Sequence, residues 1–271
     1  MSLKNKVALV LGAVKGIGKG IGLALAGEEV NLALTYWDWE ESLPAMKADF
    51  LNAGCDPLIL RTNLLETRTI PGMIQQVAER FGRIDILINN IERGGWPVVH
   101  GPYTEEQWDL EMATTLRAKR WVFEHALPYL IRSENGAVIN FSSIAGVVGR
   151  SGPASPVFND GYAAACRGSA LLTETWARMA APKVRVNEIM LGFFETRHGE
   201  HTRGWGLLSD PEKEAIISHT LLQRTGRIED VVKAVLFLLK EAPFMTGSVL
   251  RLDGGYVLGG EKIGPMPAGV L

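Results

Sequence analysis

Three glycines of the 271-residue chain are spaced as a phosphate cradle: Gly12-Ala-Val-Lys-Gly16-Ile-Gly18 follows the apolar run Val7 to Leu11 and opens a helical pattern. Gly12 permits a tight turn and Gly16 lets backbone amides approach a pyrophosphate. Gly18 allows close packing of helix on strand, with the positive end of the helix facing the phosphates. With 30 glycines in the chain the spacing alone is weak, and its meaning comes from the strand before it and the helix after it. A second cluster, Arg197, His198, His201 and Arg203, could clamp a carboxylate or phosphate, the alternative being a solvated mixed-charge loop. His198-Gly-Glu200-His201 shows no partner in sequence to orient its ligands, so no metal is expected.

These residues need a scaffold. Apolar β-rich runs are read at Lys6–Leu11, Asn31–Tyr36, Pro57–Arg61, Ile84–Ile88, Ala137–Phe141, Val184–Ile189 and Val249–Leu252. Helical patterns fall at Ile17–Ala26, Glu41–Asn52, Ile70–Phe81, Thr104–Leu130, Tyr162–Met179 and Glu229–Leu239. Strict alternation predicts an α/β Rossmann fold: a doubly wound, seven-stranded parallel sheet flanked by helices, with ligands at the carboxyl ends of the strands. No Pro/Ser-rich linker or repeat divides residues 1–271, so a single dinucleotide-binding domain is expected. Leu191–Asp210 shows no periodicity and is rich in Gly, His and Arg. A lid or substrate loop is therefore expected over about 191–220.

Composition narrows the partners. With 46% hydrophobic residues and a net charge of -2, the chain can bury a full core but has no field to collect nucleic acid or anionic lipid. Its two cysteines, Cys55 and Cys166, give neither a disulfide framework nor a thiolate metal site. Lys4 and Lys6 before the first apolar run imitate a secretory signal, but Lys15 ends the run early and no cleavage pattern follows. No stretch approaches the ~20 apolar residues of a membrane span. A cytoplasmic protein that binds neither nucleic acid nor membrane is expected.

Further motifs stand in order along the chain: Asn89-Asn90, Asn140-Phe-Ser-Ser143, Tyr162 at the opening of a helix, Val184-Arg-Val-Asn187-Glu-Ile189, Gly192, Thr196, Gly226-Arg-Ile-Glu-Asp230, Thr246-Gly247 and Asp253-Gly254-Gly255. With the glycine loop, they make the chain resemble the short-chain dehydrogenase/reductase superfamily over nearly its whole length. The resemblance implies hydride transfer between NAD(P) and a carbonyl/alcohol pair, with a tyrosine as acid/base, a serine steadying the substrate oxygen, a lysine, and an asparagine supporting a water relay. By motif position the serine is Ser143 and the tyrosine Tyr162. The resemblance also implies a homodimer or homotetramer through the two long helices and the C-terminal segment.

The chain departs from the pattern at several positions. The lysine, expected one helical turn after the tyrosine, is Cys166, and Arg167 points about 100° away around the helix. The asparagine's place falls on Thr115. Ile91 and Glu92 stand where the family has alanine and glycine, adding bulk and negative charge near the expected ribose. Arg150-Ser-Gly-Pro-Ala-Ser-Pro156 lengthens the spacing from Ser143 to Tyr162. An ammonium beside the tyrosine favours its anion; with a thiol there, only about 0.1% is ionised at pH 7. A neutral phenol is poor for oxidation but suited to protonating an alkoxide, so a reductase bias is expected, and Cys166→Lys is expected to raise turnover. The rival expectation is a catalytically silent relative that keeps the fold as a binding or scaffold subunit.

For the cofactor, the position of the ribose-binding acid in NAD users falls on Tyr36, followed by Trp37 and Asp38. Lys15 sits where many NADPH users keep a base, so NADP(H) is favoured over NAD(H). The expected cofactor contacts are Gly12, Lys15, Gly16, Ile17, Gly18, Tyr36, Trp37, Asn63, Asn90, Gly192 and Thr196. Asn63 takes the place of a family aspartate that contacts adenine, its alternative being a loop cap. The resemblance implies a small carbonyl or alcohol substrate, and the Arg/His cluster, if it is more than a solvated loop, would suit an anionic group on it.

Overall fold

A computed structural model describes residues 1–92, 103–196, 204–261, 263–266 and 269. Seven strands, β1 (Val7–Val10), β2 (Asn31–Tyr36), β3 (Leu58–Arg61), β4 (Ile86–Asn89), β5 (Gly136–Ser143), β6 (Val184–Leu191) and β7 (Val249–Leu252), form one sheet in the order β3-β2-β1-β4-β5-β6-β7. Every pairing is parallel. β1, β4 and β5 are buried at every residue, the expected state of strands covered on both faces and the reason they read as unbroken apolar runs.

Helices cover the two faces. On one, Ile21 and Leu25 of α1 (Gly16–Gly27), Met46 and Phe50 of α2 (Leu43–Asn52) and Val231 and Val235 of α9 (Ile228–Leu236) join the core. On the other, α3 (Ile70–Phe81), α5 (Ala118–Leu130) and α7 (Asp160–Ala180) do so, with the Phe123 and Trp176 rings stacked 4.5 Å apart. At the amino end of the sheet, Asp85 joins three elements. It accepts hydrogen bonds from Val7 N (2.8 Å), Arg83 Nε (2.8 Å) and Nη2 (2.6 Å), and Ser133 Oγ (2.5 Å).

The helix predicted over Thr104–Leu130 is not uniform. It begins as α4 (Glu105–Glu111), capped by Thr104 and Gln107, then widens into a π-helical turn over Met112–Arg117 before α5. Thr114 Oγ1 donates to the Leu110 carbonyl at 2.8 Å within this stretch, a side-chain bond that competes with the regular ladder. The segment expected to be an irregular lid also differs: β6 runs on to Leu191 and a helix, α8 (Asp210–His219), lies within 191–220. Ser209 caps α8, both its amide and its hydroxyl meeting Glu212 Oε2 (2.7 and 2.8 Å), with Pro211 in the first turn. A short α6 (Ala145–Val148) and a 3-10 turn (Gly152–Ala154) occupy the extended stretch between Ser143 and Tyr162.

Candidate active site

Because strand order reverses between β1 and β4, a crevice opens above their carboxyl ends. It is a cleft of about 460 Å³ lined by Gly12, Lys15, Gly16, Ile17, Tyr36 and Trp37, and further along by Asn63, Asn90, Glu92 and Thr196. A Cβ on Gly12, whose φ is +64°, would lie 2.6 Å from the Asn90 carbonyl oxygen, and one on Gly18 would lie 2.1 Å from that of Gly12. Gly16, at φ +57°, has nothing within 4 Å and leaves the amino end of α1 open to the cleft. These features fit a dinucleotide diphosphate: a bare loop, a helix terminus and a cleft beside them. Lys15 Nζ lies over the Trp39 ring, 2.8 Å from its centroid, and the Arg61 guanidinium over Trp37 at 4.8 Å. Asn63 lines the cleft and caps its own loop, its Oδ1 accepting from Leu65 N at 3.2 Å. Gly192 is required for packing, as a Cβ there would meet Asp253 Cα at 2.6 Å.

A second, smaller cavity of about 30 Å³ adjoins the cleft, walled by Ser143, Tyr162, Phe158, Phe193, Trp205 and Leu208. Glu92, Ile17, Leu191 and Thr196 line both. Ser143 ends β5, its Oγ accepting from Ala145 N at 3.1 Å, and lines the same cavity as Tyr162. Tyr162 stands in the first turn of α7 because Asn159 caps that helix, its Oδ1 accepting Tyr162 N at 2.8 Å. The same Oδ1 accepts Tyr103 Oη at 3.1 Å, and Asn159 Nδ2 donates to Glu111 Oε1 at 3.1 Å, so the cap also ties α7 to α4.

The Tyr162 hydroxyl donates to Glu92 Oε2 at 2.8 Å. Glu92, expected to crowd the ribose, therefore faces the tyrosine, and the charge it brings is met by an ammonium. Lys119 Nζ, on the first turn of α5, lies 3.7 Å from Glu92 Oε1 and donates to the Phe141 carbonyl in β5. Lys119 is only 1% exposed. Cys166 is wholly buried one turn along α7 from Tyr162, and Arg167 is exposed. Below lies a chain of buried polar groups. Asn89 Nδ2 donates to Asn140 Oδ1 (2.8 Å), Asn140 Nδ2 to Thr173 Oγ1 (2.9 Å), Thr173 Oγ1 to Glu188 Oε2 (3.1 Å), and Ser142 Oγ to Glu188 Oε1. Thr115 is buried in the π-helical turn, and its neighbour Thr114 lines the cleft.

Electrostatics follow from this burial. Desolvation first, then the neighbouring Cys166 and Glu92, push the Tyr162 phenol well above its ordinary range, with Ser143 opposing. Burial, then Glu92, likewise keeps Cys166 a thiol, against the pull of Lys119. Burial raises Glu188 too, opposed by its hydrogen bonds and by Lys119. One ammonium thus stands among two carboxyls, a phenol and a thiol.

The sequence profile described as Enoyl-(Acyl carrier protein) reductase matches residues 12–257. Over 264 residues the chain is 33% identical to 3-oxoacyl-[acyl-carrier-protein] reductase FabG of Thermotoga maritima, covering 95% of this chain and all of that one. The chain belongs to the short-chain dehydrogenase/reductase superfamily. It is an NAD(P)-dependent oxidoreductase of that superfamily. The corresponding FabG of Staphylococcus aureus is 32% identical over 255 residues, covering 93% of this chain and 98% of that one. In three dimensions the NADPH-dependent 3-quinuclidinone reductase of Rhodotorula rubra superposes with a TM-score of 0.82 at 24% identity, over 95% of this chain and 93% of that one, and shares the fold.

Against this superfamily pattern, the sequence reading leaves out Lys119 and Glu188. Each carried a signal: Lys119 follows Thr115 by one turn among buried Ala118, Val122 and Phe123, and Glu188 is a carboxylate beside Ile189 and Met190 in a strand. The Arg197, His198, His201 and Arg203 cluster, with Glu200, lies outside the described residues. Among the described residues no group of three or more His, Cys, Asp or Glu could hold a metal ion, and no helix is long and apolar enough to cross a membrane.

Proposed function

We propose that this oxidoreductase reduces a ketone with NADPH, Tyr162 giving a proton to the substrate oxygen and Ser143 steadying that oxygen. The observation that carries the reading is the meeting of Ser143 and Tyr162 at the junction of the dinucleotide cleft and an aromatic cavity. Gly12, Gly16, Gly18 and the first turn of α1 would hold the diphosphate, Tyr36, Trp37, Lys15 and Asn63 the adenosine end, and Asn90, Gly192 and Thr196 the nicotinamide half. When bound, the dihydronicotinamide supplies the hydride. The phenol, kept neutral by burial and by Glu92, is the form that protonates an alkoxide, which supports a bias toward reduction.

NADPH is favoured over NADH because Lys15 lies on the cleft and β2 ends in Tyr36 where NAD users keep an acid. The FabG relatives are named for 3-oxoacyl thioesters, and Phe158, Phe193, Trp205 and Leu208 suit an apolar acyl body. The unit proposed is one domain over residues 1–271, working in the cytoplasm as a homodimer or homotetramer. The test is titration with NADPH and NADH by thermal shift, followed by turnover on a ketone panel that includes 3-oxoacyl thioesters. NADPH should bind at least about tenfold more tightly than NADH. A folded protein that binds neither would defeat this reading in favour of a silent scaffold.

A further inference from the structure

Resting on that reductase reading, we propose that Glu92 is the terminal proton carrier of the site, that Tyr162 passes protons between Glu92 and the substrate oxygen, and that Lys119 is the positioning residue for Glu92. A tyrosine that gives up its proton must recover one. In this site a free phenolate would form beside a carboxylate with no cation one turn along its own helix, where the buried, uncharged Cys166 stands. The contact that exists is a hydrogen bond of 2.8 Å from Tyr162 Oη to Glu92 Oε2. Glu92 is only 13% exposed, and among the described residues its Oε1 accepts no hydrogen bond and its nearest cation is Lys119 Nζ at 3.7 Å. Lys119 is fixed from the far side by the Phe141 carbonyl, and Cys166 is shorter than the lysine the superfamily places there. Glu92 also lines both the cleft and the aromatic cavity, so its proton can exchange with water in the cleft.

The transfer balances as follows. As the substrate carbon gains hydride, the carbonyl electron pair moves to oxygen, which takes the Tyr162 proton. The phenol O–H breaks while the Tyr162 oxygen takes a proton from Glu92, which has first taken that proton from water in the cleft and so turned from acceptor to donor toward Tyr162. Glu92 is left as a carboxylate beside the Lys119 ammonium and regains a proton from water. Oxidation is the reverse, with Glu92 as the base that finally holds the alcohol's proton. No free phenolate forms in either direction. The charged and titratable groups facing this pair among the described residues are Lys119 from α5, Cys166 from α7 and Glu188 from β6.

Two readouts test this. The first needs no cofactor: tyrosinate absorbance against pH, taken as the difference between the protein and its Tyr162→Phe variant. Glu92→Gln should lower the Tyr162 midpoint, because it removes the adjacent negative charge, and Lys119→Met should raise it. The second is the pH dependence of ketone reduction and alcohol oxidation. The native enzyme is expected to show opposed limbs, reduction falling and oxidation rising with pH; Glu92→Gln should slow both reactions by about 10²-fold and flatten those limbs. Lys119→Met should lower kcat in the same direction while leaving NADPH affinity unchanged. Should Lys119→Met fail to fold, Lys119→Met with Glu188→Gln removes one buried charge of each sign and carries the same expectation. An unshifted Tyr162 midpoint in Glu92→Gln, or native rates and limbs in that variant, overturns the proposal. A native protein that binds NADPH and reduces ketones while these variants behave as native leaves the reductase reading standing. Failure of the native protein to bind NADPH defeats the reductase reading, and the absorbance titration still decides the Glu92–Tyr162 coupling.

Discussion

Buried carboxylates stand at both ends of the sheet, and they are treated oppositely. At the amino end Asp85 accepts four hydrogen bonds, two of them from a guanidinium, and burial, which alone would raise its pKa, is outweighed so that it stays below its usual range. At the carboxyl end Glu92 and Glu188 share one ammonium, Glu92 Oε1 has no donor, and Glu188 is pushed upward by burial. A carboxylate with every lone pair engaged has one protonation state and serves as a fastener. One that is under-supplied can exchange a proton at modest cost, which is what a reaction site requires. The contrast separates structure from chemistry within a single sheet.

Breaking the fastener should have the largest effect. Asp85→Asn puts an amide where a buried carboxylate accepts four hydrogen bonds, leaving donors of Val7, Arg83 and Ser133 poorly matched, and should destabilise the fold by about 3 kcal/mol, read by urea unfolding, while kcat of the folded fraction stays native. A native midpoint would dissolve the contrast. The corresponding pH effect has a definite sign: because the folded-state pKa of Asp85 is lowered, its contribution is complete above the unfolded value near 3.9 and is lost as pH falls through the folded one. The stability gap between native protein and Asp85→Asn should therefore be full near neutral pH and close as pH falls through the folded-state value of Asp85.

Next in size is the glycine loop. Gly18→Ala forces a Cβ to within 2.1 Å of the Gly12 carbonyl and should cost about 1–3 kcal/mol together with NADPH affinity. Gly16→Ala meets no atom within 4 Å, so its cost of about 1 kcal/mol comes from its positive φ alone. Smallest is Glu188→Gln. A carboxyl raised in the folded state costs stability as pH rises from its unfolded value near 4.3 toward the folded one, and the amide removes that cost while keeping the shape. Its net change at pH 7 should stay within about 1.5 kcal/mol by thermal unfolding, against the larger loss at Asp85.

The fold was legible because its signals are local. Apolar runs such as Val7–Val10, the Gly12 turn and the apolar faces of α3 and α7 each announce an element from neighbouring residues alone. α8 escaped because only Ile216 of its residues is buried, which leaves almost no periodicity, although Ser209 and Glu212 spelled out its cap. The site was half legible. Ser143 and Tyr162 are carried by motif position, but Lys119 reaches the carbonyl of Phe141 and a carboxylate 27 positions before it, and no spacing rule on α7 points there. The expectation that Cys166→Lys raises turnover changes for the same reason. With Lys119 already among these groups, a second buried ammonium at Cys166 should lower stability unless Lys119→Met is made with it.

The central claim is that the site has been rebuilt and still works. Its most direct test is NADPH oxidation by native protein and by Tyr162→Phe, with a ketone in excess and NADPH affinity measured alongside. The account predicts equal NADPH affinity and a loss of about 10²–10⁴-fold in reduction rate for the variant. Tyr162→Phe turning over at the native rate would contradict it.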